Sequence, residues 1–163
     1  MTFPKETAEL LYQLKNDDVI GRMAAAGELA AVPDQPGVLA GLSWSAGSDP
    51  FWAVRRAAVE ALARAPRPAA EGVLKQACRD SHSSVRTAAV QALGAFKDKR
   101  LAAFYKDLFG RDKSVRVRAE ALRALGLTGD ASLVPFLRES AAVPSHQNMI
   151  RRAAEEALKQ LGK

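Results

Sequence analysis

At 163 residues, with hydrophobic side chains at 48% and aromatics at only 6%, the chain can form one ordinary domain with a core of small aliphatics. The lone Cys78 excludes an internal disulfide framework and a multi-cysteine metal site, and no apolar run approaches the ~20 residues that span a bilayer. The net charge of +6 is uneven: residues 1–80 carry 9 basic and 10 acidic side chains, net −1, and residues 81–163 carry 15 and 8, net +7. A basic half admits nucleic acid or an acidic partner, but a solvated helical face explains it as well. The opening Met1-Thr2-Phe3-Pro4-Lys5 lacks the charged-then-apolar layout of a secretion signal and reads as the start of an excised piece. A soluble chain is expected; its compartment is not specified.

In chain order, the first helical pair is expected near residues 6–31. The second, 35–64, is the least regular, interrupted by Pro33, Pro36, Gly37, Gly41, Gly47 and Pro50. Pro66 and Pro68 mark the next joint, where proline cannot continue a helix. The third pair, 67–96, shows Ala70, Val73, Leu74, Ala77 and Cys78 on one stripe, then Val85, Ala89, Ala92, Leu93 and Phe96. The fourth, 98–126, places Leu101, Phe104, Tyr105 and Leu108 at i, i+3, i+4 and i+7. Gly110-Arg111-Asp112-Lys113 breaks that helix; Val117, Ala121, Leu122 and Leu125 follow on one face, and Gly126 stops it. The fifth, 130–161, gives Leu133, Phe136, Leu137 and Ala141, then Ile150, Ala154, Ala157, Leu158 and Leu161. Period-two alternation is absent. The fold class expected is all-α: a right-handed α-solenoid of about five helical pairs in a single domain, 1–163.

One ten-residue word organises the second helices. It stands as Val54–Ala63, Val85–Gly94 and Val117–Gly126, with weaker copies at Gly21-Arg22 and Ile150-Arg151. Its arginines, Arg22, Arg55, Arg86, Arg118 and Arg151, are 33, 31, 32 and 33 residues apart. An aspartate stands six positions ahead of three of them: Asp49, Asp80 and Asp112. The first copy offers Asn16 and Asp17 there, and the last has Ser145. A carboxylate in the turn can accept orphan N–H groups of the second helix, and each arginine sits about one turn further on. The guanidiniums should therefore reach carboxylates of their own or a neighbouring repeat and form a structural ladder. Small residues at Ala88-Ala89, Ala119, Ala121 and Ala153-Ala154 let stacked helices come close.

The period, the two-helix unit and the Asp-x5-Arg-x2-Ala-x3-Leu-Gly pattern resemble HEAT repeats over essentially the whole chain. A narrower resemblance lies in Phe3-Pro4-Lys5 with Glu9-Leu10-Leu11-Tyr12-Gln13-Leu14 and Asp17-Asp18-Val19-Ile20-Gly21-Arg22, in Asp49-Pro50-Phe51-Trp52-Ala53-Val54-Arg55, and in Ser145-His146-Gln147-Asn148-Met149-Ile150-Arg151-Arg152. These segments resemble the C-terminal helical domain of bacterial aminopeptidase N-type zinc peptidases. In that family the domain follows a β-sandwich and curves back over a thermolysin-like catalytic domain. The resemblance implies a non-catalytic domain that packs on those partners and shapes peptide access, with zinc only in the parent catalytic domain.

The family's zinc motif, H-E-x-x-H on one helix, is not in this sequence, nor is its G-x-M-E-N strand; the two histidines, His82 and His146, are 64 residues apart. No catalytic or metal-binding residue is therefore assigned, and this chain alone should not hydrolyse peptides. His82 and His146 read as turn residues, and Cys78 as a buried thiol on its apolar stripe. Trp44 and Trp52 flank the turn of the second pair, as core aromatics or as partner anchors. Trp52, Arg56, Arg116, Arg123 and Arg152 form the candidate binding surface. The alternatives are a stand-alone scaffold for peptide or protein, a nucleic-acid binder, and, more remotely, a lyase or isomerase of a bilin chromophore. Against nucleic acid, the basic residues are not interleaved with exposed aromatics.

Overall fold

The computed structural model describes residues 5–163; Phe3 and Pro4, named in the resemblance above, lie outside the described residues. Among the described residues there is no strand. Ten α-helices follow in order: α1 Lys5–Asn16, α2 Val19–Leu29, α3 Pro36–Ser48, α4 Trp52–Leu62, α5 Arg67–Ala77, α6 Ser83–Gly94, α7 Ala102–Arg111, α8 Val115–Leu127, α9 Val134–Ser140 and α10 Met149–Gln160. Short 3-10 turns over Lys99–Leu101 and Ala131–Leu133 lead into α7 and α9, and a third over His146–Asn148 leads into α10. Two compact units share the chain, one ending at Ala92 and one spanning Leu93–Lys163. The division falls inside α6 with no linker to mark it, as in a repeat protein whose layers touch only their neighbours.

Local chemistry sets the helix starts. The Asp18 carboxylate caps α2 by accepting the Gly21 N–H at 2.8 Å. Prolines occupy the first turns of α3, α5 and α9, where a missing N–H costs no helical bond. Asp98 and Asp130 accept the N–H groups of Arg100 and Ser132, opening the two 3-10 turns.

In the first unit α1 packs on α2 and α3, α2 on α4, and α3 on α4 and α5. Leu29, Leu42, Leu62 and Leu74 are fully enclosed between these layers. In the second, α8 packs on α7 and α10, and α10 on α9, around Tyr105, Leu108, Leu122, Leu125, Leu137 and Ile150. The glycines expected to interrupt the second pair instead lie within a continuous α3. Each glycine weakens a helix interior by roughly 0.5–1 kcal/mol, and burial of Val38, Leu42 and Ala46 opposes that loss. Gly41 also has a spatial role, since a Cβ there would stand 3.0 Å from Leu11 Cδ2 of α1.

Among the glycines of the second unit, Gly126 makes the closest approach to a neighbouring helix. A Cβ added to it would lie 2.5 Å from the Cα of Ala157 on α10, a backbone atom that cannot step aside. Gly110 of α7 faces nothing within 4 Å. Gly126→Ala should therefore destabilise the chain by about 1–3 kcal/mol through overpacking. Gly110→Ala should be neutral or slightly stabilising. Urea unfolding of the two variants checks the contrast, and equal midpoints would refute the close approach.

Candidate functional site

The turns between paired helices repeat one arrangement. Asp49, Asp80 and Asp112 each turn Oδ1 back on the chain to accept the N–H two residues ahead, that of Phe51, His82 and Ser114, at 2.8–2.9 Å. Arginines of preceding second helices reach Asp49 and Asp80. Arg22 forks onto Asp49, with Nε to Oδ2 at 2.8 Å and Nη2 to Oδ1 at 3.2 Å. Arg55 forks onto Asp80 at 2.7 and 2.9 Å. The remaining nitrogen, Nη1, donates to the arginine's own turn: to Asp17 O for Arg22, Asp49 O for Arg55 and Asp80 O for Arg86, at 2.8–2.9 Å. Burial pushes the Asp80 carboxyl up, but the Arg55 fork, the His82 N–H and the Arg55 charge outweigh it and hold it below the usual range. The hydrogen bond to Asp80 likewise raises Arg55, against its own burial.

Arg118 departs from the ladder. Its Nε donates to Phe109 O at 2.8 Å, and its guanidinium lies 4.8 Å from the centroid of the Phe109 ring. The next turn carries Ser145 where an aspartate would stand. Ser145 keeps the capping half of the motif, accepting the Ile150 N–H at 2.9 Å, but a hydroxyl offers no charge to a guanidinium. Arg151 is exposed on α10 and pairs with no carboxylate among the described residues.

The candidate binding residues separate by role. Trp52 stacks flat on His82, with ring centroids 4.1 Å apart and planes 6° from parallel, and remains 41% exposed. Arg56 pairs with Glu60 one turn along the same exposed helix face, a contact worth only about 0.3–0.5 kcal/mol. Arg123 is half-buried and reaches from α8 to Glu156 of α10 and Glu120 of its own helix. Burial works against its charge, yet Glu156 and Glu120 raise its pKa. That arginine is a structural tie. Arg116 and Arg152 are exposed. Cys78 is buried, His82 sits in a capping turn with Nδ1 accepting the Ser84 N–H, and His146 is exposed. Among the described residues, no His, Cys, Asp and Glu side chains cluster as a metal site. Nor is any of their helices long and apolar enough to cross a membrane.

Sequence reasoning did not find the exposed apolar side chains Tyr12, Ile20 and Phe51, nor two clefts in the first unit. One, of about 410 Å³, lies between α3 and α5, with Gly47 and Gly72 in its walls and Gln76, Arg79 and Asp80 among its lining. The other, of about 250 Å³, lies between α1 and α3 and is lined by Leu11, Leu14, Lys15, Gly41, Trp44 and Ser45. Lining up the repeats on their arginines gives the available signal, because Ile20 then stands where Ala53 and Ser84 do.

Paired helices in sequence, tied turn to helix by arginine and aspartate, define an α-solenoid. The chain belongs to the HEAT-repeat family: the model of HEAT repeats matches residues 7–87 and 39–116. Solved structures share the fold. One chain of the CpcE–CpcF complex of phycocyanin lyase from Nostoc sp. PCC7120 is 23% identical over 99% of this chain and 69% of its own, with a TM-score of 0.73. Human deoxyhypusine hydroxylase is 18% identical, at 96% and 73% coverage and a TM-score of 0.56. An engineered protein is 20% identical, at 96% and 79% coverage and a TM-score of 0.60. No curated protein matches.

The ladder makes a measurable claim. Breaking one side of an enclosed ion pair strands the other charge, so Arg55→Met should cost about 3 kcal/mol at neutral pH. The folded Asp80 carboxyl lies below its ordinary value of 3.8. Its stabilisation is therefore full above that value and is lost as pH falls through the lower folded one. Arg55→Met should flatten this acid limb. Urea unfolding between pH 7 and pH 2 checks both effects, and an unchanged midpoint with an unchanged acid limb would show the fork adds nothing.

Proposed function

We propose that this chain works by binding protein, with no chemistry of its own, as the helical repeat domain of a zinc aminopeptidase. Its partners would be the catalytic and β-sandwich domains of that enzyme, and its role to shape peptide access to the active-site chamber. Support comes from where the resembling residues lie. Ile20, Phe51, Trp52 and the run His146-Gln147-Asn148, which go beyond the general repeat pattern, are all exposed. Ile20, Phe51 and Trp52 are apolar and stand at or beside helix starts, and exposed apolar side chains of this kind favour a surface that meets a partner. Zinc would belong to the parent catalytic domain.

A second reading, a free-standing scaffold for a protein partner, is supported by the similar phycocyanin lyase chain, which was solved as a CpcE–CpcF complex. Nucleic-acid binding finds less support, because Arg123, one of the basic residues of the second unit, is already tied to glutamates.

Hydrolysis of aminoacyl-arylamides by this chain and by the full product of its native reading frame tests the proposal. Activity is expected only in the longer protein, abolished by a zinc chelator. A native frame without H-E-x-x-H, or one inactive on these substrates, would overturn the aminopeptidase reading and leave the scaffold.

A further inference from the structure

We propose that the outer side of α1 and α2, formed by Tyr12, Asp17, Asp18, Ile20 and Ala24, is a docking face for a helix of a partner protein. That helix would present an arginine one turn from its N-terminus and small residues along its length. The inference rests on the reading of the chain as a partner-binding module and specifies the face and the recognising chemistry.

Repetition shows what the face is made for. Positions two before, two after and six after each ladder arginine are Ile20, Ala24 and Glu28 in α2, Ala53, Ala57 and Ala61 in α4, and Ser84, Ala88 and Ala92 in α6. In α4 and α6 this line is partly or fully covered, whereas in α2 all three residues are exposed and Ile20 is 77% so. The glycine contacts of the second unit identify what covers such a line. Gly126 of α8 meets Ala157, which stands six after Arg151, and Gly94 meets Ala124, six after Arg118. A preceding second helix therefore lies on this line where the repeats stack, and in α2 the described residues leave the same line exposed.

The first helices agree. Trp44, five residues before Asp49, lines the cleft against Leu11 and Leu14 of α1. Tyr12, five before Asp17, stands at the matching place and is 69% exposed.

Charge selects the occupant. Asp49 and Asp80 each receive an arginine from the preceding second helix. Asp17 and Asp18 occupy the corresponding turn, each with Oδ1 on a backbone N–H at 2.8 Å; Arg22 donates to the Asp17 carbonyl, but neither carboxylate forms an ion pair among the described residues. Carboxylates beside an apolar, small-residue line complement an arginine-bearing helix. A second copy of this chain fits poorly. Stacked head to tail it would offer α10, where Lys159 stands eight after Arg151, at the place that Gly94 and Gly126 hold after Arg86 and Arg118. Stacked head to head, it would set these aspartates against themselves.

The probe is a stapled helical peptide with the sequence Trp52–Arg64, titrated into the full chain and followed by backbone NMR. Saturable shifts are expected, confined to Tyr12 and residues 17–24. Asp17→Asn with Asp18→Asn in the chain, which keeps the capping side chains, and Arg55→Met in the peptide should each weaken binding about tenfold. Ile20→Lys should remove binding with the helical circular dichroism unchanged. Absence of saturable shifts, shifts confined to another face, or an affinity indifferent to both charge changes would overturn the proposal. A dimer of the chain alone, broken by Ile20→Lys, would overturn it in favour of a second copy. Failure here beside an established aminopeptidase frame would move the partner to another face and leave the proposed function standing.

Discussion

When Arg55 forks onto both oxygens of Asp80 while its third nitrogen donates to the carbonyl of Asp49, one side chain fixes two turns at once. Oδ1 of the same aspartate also closes the turn in which it sits, by accepting the His82 N–H. A turn, the start of its helix and the neighbouring layer thus share one network of charge-assisted hydrogen bonds. Arginine is suited to this because its rigid fork meets a carboxylate with two bonds and keeps a further donor free; a lysine would supply only a point charge. Side-chain exposures of 12% and 10% put the pair away from most solvent screening, so the geometry holds more strongly than on an open surface.

Close approach of second helices does not depend on that joint alone: Arg118 turns to Phe109 and Ser145 stands where an aspartate would, yet Gly126 of α8 faces the backbone of Ala157 on α10. Alanine and glycine at these crossings contribute little buried area themselves. The area comes from Leu62, Leu74, Leu122, Leu125 and Ile150 in the layers between. The division of labour is physical: ion pairs set register, leucines supply the hydrophobic term, and small residues make the approach possible.

A scaffold stabilised in this way leaves its outer positions open to other uses. The exposed Tyr12, Ile20, Phe51 and Trp52 all lie in the first unit. Among the described residues of the second unit no large apolar side chain is exposed, and Arg123 is held by glutamates. The large exposed apolar side chains thus fall on the first unit, where the proposed partner face lies.

The repeat length, the helical pairs and the core stripes were legible in the sequence because they depend on periodic burial, and periodicity survives in one dimension. Leu108, Val117, Leu122 and Leu125 were placed on apolar faces by spacing alone, and they are buried. The spacing of Asp80 and Arg86 pointed to arginine and carboxylate working together, but not to which carboxylate each arginine would take. Only the fold decided that Arg55 reaches forward to Asp80, 25 residues on, while giving its own Asp49 a carbonyl contact. Arg118 shows the same limit, since its ring contact with Phe109 depends on a neighbour in space. The glycines of α3 misled the reading of regularity because local propensity gives way to packing against α1. Exposure of Ile20 could not be read from composition, because a line of residues is covered or bare according to what stacks upon it.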